Sequence, residues 1–140
     1  MFRKTILSFV LVIILFNLSM VNAHGNINIE IFHIEKNEII KTTPINSNIQ
    51  LEAERIIKEI DCVVKKFNPI PDKGYMIKIP LNPPYRLENK WINDLIDEVI
   101  IIIPEDEEPY LLIFDDENKS YFFIFQTKIA TLLNTLEFSL

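Results

Sequence analysis

The side chains in this chain whose types could do chemistry are few: His24, His33, Cys62, and two runs of carboxylates at Glu105-Asp106-Glu107-Glu108 and Asp115-Asp116-Glu117. If the chain were cut after Ala23, His24 would become the N-terminus, where an amine and an imidazole can chelate one copper ion. Such a site needs further ligands, and His33 is the one other histidine. It shares the parity of Ile27, Ile29 and Ile31, so a structural place at the edge of a core is its simpler reading. The acidic runs invite calcium or paired-carboxylate chemistry. A strand from Tyr110 to Phe114 would hold them roughly 15–20 Å apart at about 3.3 Å per residue. Paired catalytic carboxylates need roughly 5–10 Å. Neither run has the spacing of a calcium loop, which leaves a weak calcium contact at Asp115, Asp116 and Glu117 as the chemical reading. The simpler one is solvated loops that guard oily strands against edge pairing.

Cys62 is the lone cysteine. Read on a helical period, it shares a side with Leu51, Arg55, Lys58 and Lys66, opposite the apolar stripe, where basic neighbours would favour its thiolate. Its readings are a small residue packed under a second layer that includes Leu51, a cross-link between two copies, and last a nucleophile. No Cys-His arrangement, no GxSxG and no phosphate-cradling GxGxxG or GxxxxGK is present, and only two glycines exist to build one. The loop Pro80-Leu-Asn-Pro-Pro-Tyr85 could present Tyr85 and Arg86 to a partner, with Trp91 nearby; its plainer role is a rigid connection. No catalytic, cofactor-binding or metal-binding residue is assigned, and no cofactor.

These residues sit in a chain of 140 with 49% hydrophobic and 24% charged residues, enough for one core and too apolar for disorder. Arg3 and Lys4 precede an apolar stretch of 11 residues, Ile6 to Phe16, followed by the small-x-small ending Val21-Asn22-Ala23. That pattern predicts a signal peptide over 1–23, because 11 residues are too few for a membrane span of about 20. The remainder, His24 to Leu140, is 117 residues long and keeps 12 basic residues against 20 acidic ones, a net charge of −8. An exported acidic domain follows, secreted or at the cell envelope. It has no membrane span after cleavage and no bulk attraction for nucleic acid.

The elements that must position the candidate residues follow from periodicity. Ile27 to Ile31 and Glu38 to Thr43 read as strands of a hairpin turning at Glu35-Lys36-Asn37. Ile49, Ala53, Ile56, Ile57, Ile60, Val63, Val64 and Phe67 share one helical face, with Ser47 or Asn48 as cap and Pro69 and Pro71 as stops. Tyr75 to Ile79 is a strand, and Arg86 to Asp97 a second helix through Trp91, Ile92, Leu95 and Ile96. Val99 to Ile103, Tyr110 to Phe114 and Tyr121 to Phe125 are three strands, and a helix over Ile129, Leu132, Leu133 and Leu136 ends the chain, capped by Thr127.

The expected order is ββαβαβββα: one α+β domain, an antiparallel β-meander with helices packed on it. Tyr110, Leu112 and Phe114 lie on one face of that meander, Leu111 and Ile113 on the other, so both faces are oily. Either the helices divide between the faces, or one face meets a partner.

With 26 isoleucines, many Lys and Asn, the export segment and the run Phe67-Asn-Pro-Ile-Pro-Asp-Lys-Gly-Tyr75, the chain resembles small uncharacterised secreted proteins of spore-forming, low-GC Gram-positive bacteria. The resemblance is one of general character; it carries over no activity and no site residue. The His24 start alone is similar to the mature ends of copper-dependent polysaccharide monooxygenases and small periplasmic copper carriers. The expected function is a non-catalytic binding or interaction module, its partner another protein or a second copy, met through an apolar sheet face or Cys62. The alternative is a small extracellular enzyme, a hydrolase or a copper-dependent oxidase using His24. A cleft gathering His33, Cys62 and a carboxylate would favour the enzyme.

Overall fold

The computed structural model describes residues 27–140, so the export segment expected over 1–23 and the copper-chelating start expected at His24 lie outside the described residues. Alternation builds the first hairpin, with Ile29 and Ile31 buried between Asn28 and Glu30 on β1 (Asn28–His33). It pairs antiparallel with β2 (Glu38–Pro44), and Asn37 takes the positive φ of 51° that the turn requires.

Next comes α1 (Ser47–Lys58), which buries Ile49, Ala53, Ile56 and Ile57 on one stripe. Its cap is Asn46, not Ser47 or Asn48: Asn46 Oδ1 accepts from Ile49 N–H at 3.0 Å. The helix also stops nine residues before Phe67. At Ile60 the chain extends into β3 (Ile60–Val63), which pairs antiparallel with β7 (Ser120–Phe125). Ile60, Val63 and Val64 are β-branched, and the β7 edge offers backbone partners that water would otherwise fill: Val64 N–H donates to Phe122 C=O at 2.8 Å.

The second expected helix is absent. Arg86 to Asp97 instead forms the turn of a long hairpin between β4 (Gly74–Glu88) and β5 (Asn93–Pro104). Asn89 makes that turn, its Oδ1 accepting from Trp91 N–H and Ile92 N–H, both at 2.9 Å. Ile92 and Ile96 reach the core from the turn and from β5, a separation of four residues that mimics a helical spacing in sequence, while Leu95 is exposed.

The meander continues through β6 (Tyr110–Phe114) and β7, joined where Asp115 Oδ1 accepts from Glu117 and Lys119 N–H. The chain closes on α2 (Ala130–Thr135), with no side-chain cap; Thr127 Oγ1 accepts from the Arg55 guanidinium instead. The described order is therefore ββαβββββα, an α+β arrangement that is mostly sheet.

The seven strands of the described residues form one antiparallel sheet in the order β2-β1-β4-β5-β6-β7-β3. Both helices of the described residues pack on the same side. Ile49, Ala53, Ile56 and Ile57 of α1 and Leu132 and Leu136 of the C-terminal turn share one core with Ile31, Ile77, Ile79, Ile101, Leu111, Ile113 and Phe123 of the sheet. We call this side inner and the other outer.

Candidate functional site

The candidate residues do not converge. His33 ends β1, second in the sheet, and Cys62 lies on β3, at its far edge. Five strand spacings of about 4.8 Å put them roughly 24 Å apart. The His33 ring meets Tyr75 edge-on at 5.0 Å between centroids, and its Nδ1 accepts from Lys36 N–H at 3.3 Å. A cleft of about 330 Å³ opens beside it, lined by Glu35, Gly74, Tyr75, Ile103, Glu105 and Leu140 among others. Among the described residues, no group of three or more His, Cys, Asp or Glu is placed to hold a metal ion.

Cys62 is a half-buried free thiol opposite Ile124 of β7. It is not flanked by Lys58 and Lys66, as a helix would have placed it. Lys58 ends α1, and Lys66 pairs with Glu107 beyond the strand and stands 5.5 Å over the Tyr110 ring. Leu51 does not cover the thiol either, being exposed on α1. The two acidic runs flank β6 at its opposite ends, so they form no joint site. In the loop after Pro80, Gln50 rather than Tyr85 makes the polar contacts. Its buried side chain accepts from Asn82 N–H at 2.9 Å and donates to Pro83 C=O at 3.0 Å.

What the sheet does assemble is its outer face, in three rows. The first runs Phe32, Met76, Ile102, Tyr110 across β1, β4, β5 and β6, toward Ile124 and Cys62. The connection 64–73 crosses this row, and Tyr110 donates its hydroxyl to Pro69 C=O; burial pushes the phenol up from its ordinary range. Beneath it Ile102, Tyr110 and Leu112 form a small second core. The middle row runs Thr42, Glu30, Lys78, Ile100, Leu112, Phe122. Here Lys78 Nζ lies 2.7 Å from Glu30 Oε2, and that hydrogen bond raises the lysine above its usual range.

The last row holds Pro80 and Glu98, which face each other across β4 and β5, then Phe114 and Ser120. Burial pushes the Glu98 carboxyl up, and Lys78 offsets this in part. Phe114 is 41% exposed and Leu95, turned outward between Asp94 and the buried Ile96, is 59% exposed. On the other parity Asp94, paired with the buried Leu87, accepts from Asp116 N–H at 3.3 Å. A side-chain hydrogen bond between the two carboxyls holds Asp94 below its ordinary range and Asp116 above it. Sequence reading missed this meeting because it placed Asp94 on a helix; the turn residue Asn89 was the available signal.

Comparison with protein-family models, with curated proteins and with solved structures finds no significant match.

Proposed function

We propose that the chain is an exported, non-catalytic binding module that meets a protein partner at the cell envelope or outside it. The observation that carries this reading is the outer face of the sheet. Among the described residues both helices go to the inner face, and the outer one keeps Phe114, Ile124, Phe122, Ile100 and Met76 wholly or partly exposed under a single crossing loop. Clustered exposed apolar side chains of this kind mark interaction surfaces. The sheet edges fit less well. Edge strand β2 carries Lys41 and Pro44 and an extra residue, Ile40, where its register with β1 shifts, devices that discourage strand addition, and β3 is only four residues long.

The export pattern over 1–23 supports a place outside the cytoplasm, and the bacterial character described above is part of the same reading. Among the described residues no helix is long and apolar enough to cross a membrane. Cys62 opens onto the outer face beside Ile124 and offers a second copy a covalent contact. The test is capture of partners from native envelope and culture fluid on the immobilised folded chain, with a heat-unfolded chain as control. A protein retained only by the folded form is the expected result. Retention inside the cell with residues 1–23 still attached, seen by intact mass, or equal capture by the unfolded chain, would overturn the reading.

A further inference from the structure

The connection 64–73 crosses the outer face, and it is fastened differently at its ends and in its middle. At one end Val64 N–H donates to Phe122 C=O at 2.8 Å, and the Val64 side chain packs into the second core. At the other, Glu105 N–H donates to Lys73 C=O at 3.2 Å, and Lys73 Nζ lies 3.6 Å from Glu35 Oε1. Among the described residues no backbone–backbone hydrogen bond holds 65–72. Two side-chain latches do: the Lys66–Glu107 ion pair, whose two side chains both reach solvent, and the Tyr110 hydroxyl on Pro69 C=O. The large apolar side chains of the strap do not grip the sheet, because Phe67 is fully exposed and Ile70 is exposed as well. Yet Tyr110 beneath the strap is buried, with Ile102 and Leu112 beside it, on a face that carries neither of the described helices.

We propose that residues 65–72 form a lid on the outer face, hinged at Val64 and Lys73, which opens while the sheet stays folded. Opening adds Tyr110, Ile102 and Leu112 to the apolar surface that Met76, Ile100 and Phe122 already show in part. That a protein partner uses the opened surface rests on the binding-module reading; the opening itself rests on how the strap is fastened. An exposed ion pair and one hydrogen bond are each small beside the stability of a whole domain. Segments with few buried contacts and few backbone hydrogen bonds open locally, ahead of global unfolding. Both latches close on one spot, since Lys66 also stands 5.5 Å over the Tyr110 ring. Pro69 and Pro71 lack the N–H that would let the released segment join the sheet as a strand.

Carbodiimide joins a paired ammonium and carboxylate into an amide, so treatment of the folded chain is expected to link Lys66 to Glu107 and lock the lid. Peptide mass identifies the bond, and its failure to form would contradict the latch. A Lys66→Arg chain treated alike keeps the charge, cannot be linked there and is the control. Opening is read as hydroxyl-radical oxidation of Tyr110, with Tyr121 as internal reference. Glu107→Gln leaves Lys66 over the ring and removes the ion pair; it should raise Tyr110 oxidation about two- to fivefold with an unchanged melting profile. The locked chain should fall below wild type, and treatment should not change the Lys66→Arg chain. Tyr110→Phe removes the other latch and should raise the fluorescence of an anilinonaphthalenesulfonate dye on the folded chain, while locking lowers it. Equal oxidation in wild-type, Glu107→Gln and locked chains would overturn the lid, as would a rise that comes only with a lower melting temperature. An envelope protein captured best by Glu107→Gln and lost on locking is the expected partner. Equal capture by all three would overturn the role of the lid in binding, and no capture by any would overturn the module reading while the oxidation result still decides the lid.

Discussion

Glu98 shows what a single residue contributes to this face. Burial between Pro80 and its β5 neighbours favours the neutral carboxyl in the folded chain, so the folded form binds its proton more tightly than the unfolded one. Stability from this group is therefore lost as pH rises from the unfolded value through the raised folded one, and the full cost is present at neutral pH. Glu98→Gln is expected to raise the melting temperature at pH 7 by about 2 °C, and the gain should fade below about pH 4, where the wild-type carboxyl is protonated in both states. A gain that persists unchanged in acid would contradict this. Residue roles were legible where parity decided them, as for His33, whose strand position and packing on Tyr75 follow from its alternation with the β1 isoleucines. Cys62 was misread because its neighbourhood depends on the element it occupies, and a four-residue strand places it opposite Ile124 rather than between lysines.

At the scale of elements, two side-chain features hold the sheet and its connections in register. Gly74 opens β4 at φ 125°, and a Cβ there would collide with the Ile103 carbonyl oxygen across the pair. Gly74→Ala is expected to cost about 3 kcal/mol in chemical denaturation, through the backbone strain and the displaced strand together. Gln50 links α1 to the Pro83 loop through two hydrogen bonds to backbone groups. Gln50→Leu strands Asn82 N–H and Pro83 C=O and is expected to cost about 1–3 kcal/mol. Unchanged denaturation midpoints would refute either claim. The first hairpin, the first three turns of α1 and the β5–β6–β7 meander could be read from period and turn residues, because local alternation coincides with burial there. The 86–97 hairpin could not. Trp91, Ile92, Leu95 and Ile96 have the spacing of a helical stripe, but in the hairpin Ile92 and Ile96 are buried while Leu95 turns outward. The end of α1 was equally hidden, since the choice of strand over helix at Ile60 depends on an edge supplied by β7, some sixty residues later.

For the whole molecule, the consequence of these local choices is a one-sided distribution of helices. Converting the second expected helix into strand lengthens the sheet and removes the element that could have covered its outer face. The α+β class and the doubly oily meander were legible in composition and alternation; which face would be left open was not, because it depends on how α1 and α2 meet over β4. Cys62 lies on that open side, so any thiol-sensitive dimer on non-reducing gels is expected to vanish in Cys62→Ser, and its persistence would exclude the cross-link. The most direct test of an outer-face module replaces Phe114, or Leu51 on the exposed side of α1, with a photo-crosslinking phenylalanine analogue in the producing cell. Crosslinks to an envelope or secreted protein from position 114 and none from position 51 are predicted. Crosslinks from position 51 alone would contradict it.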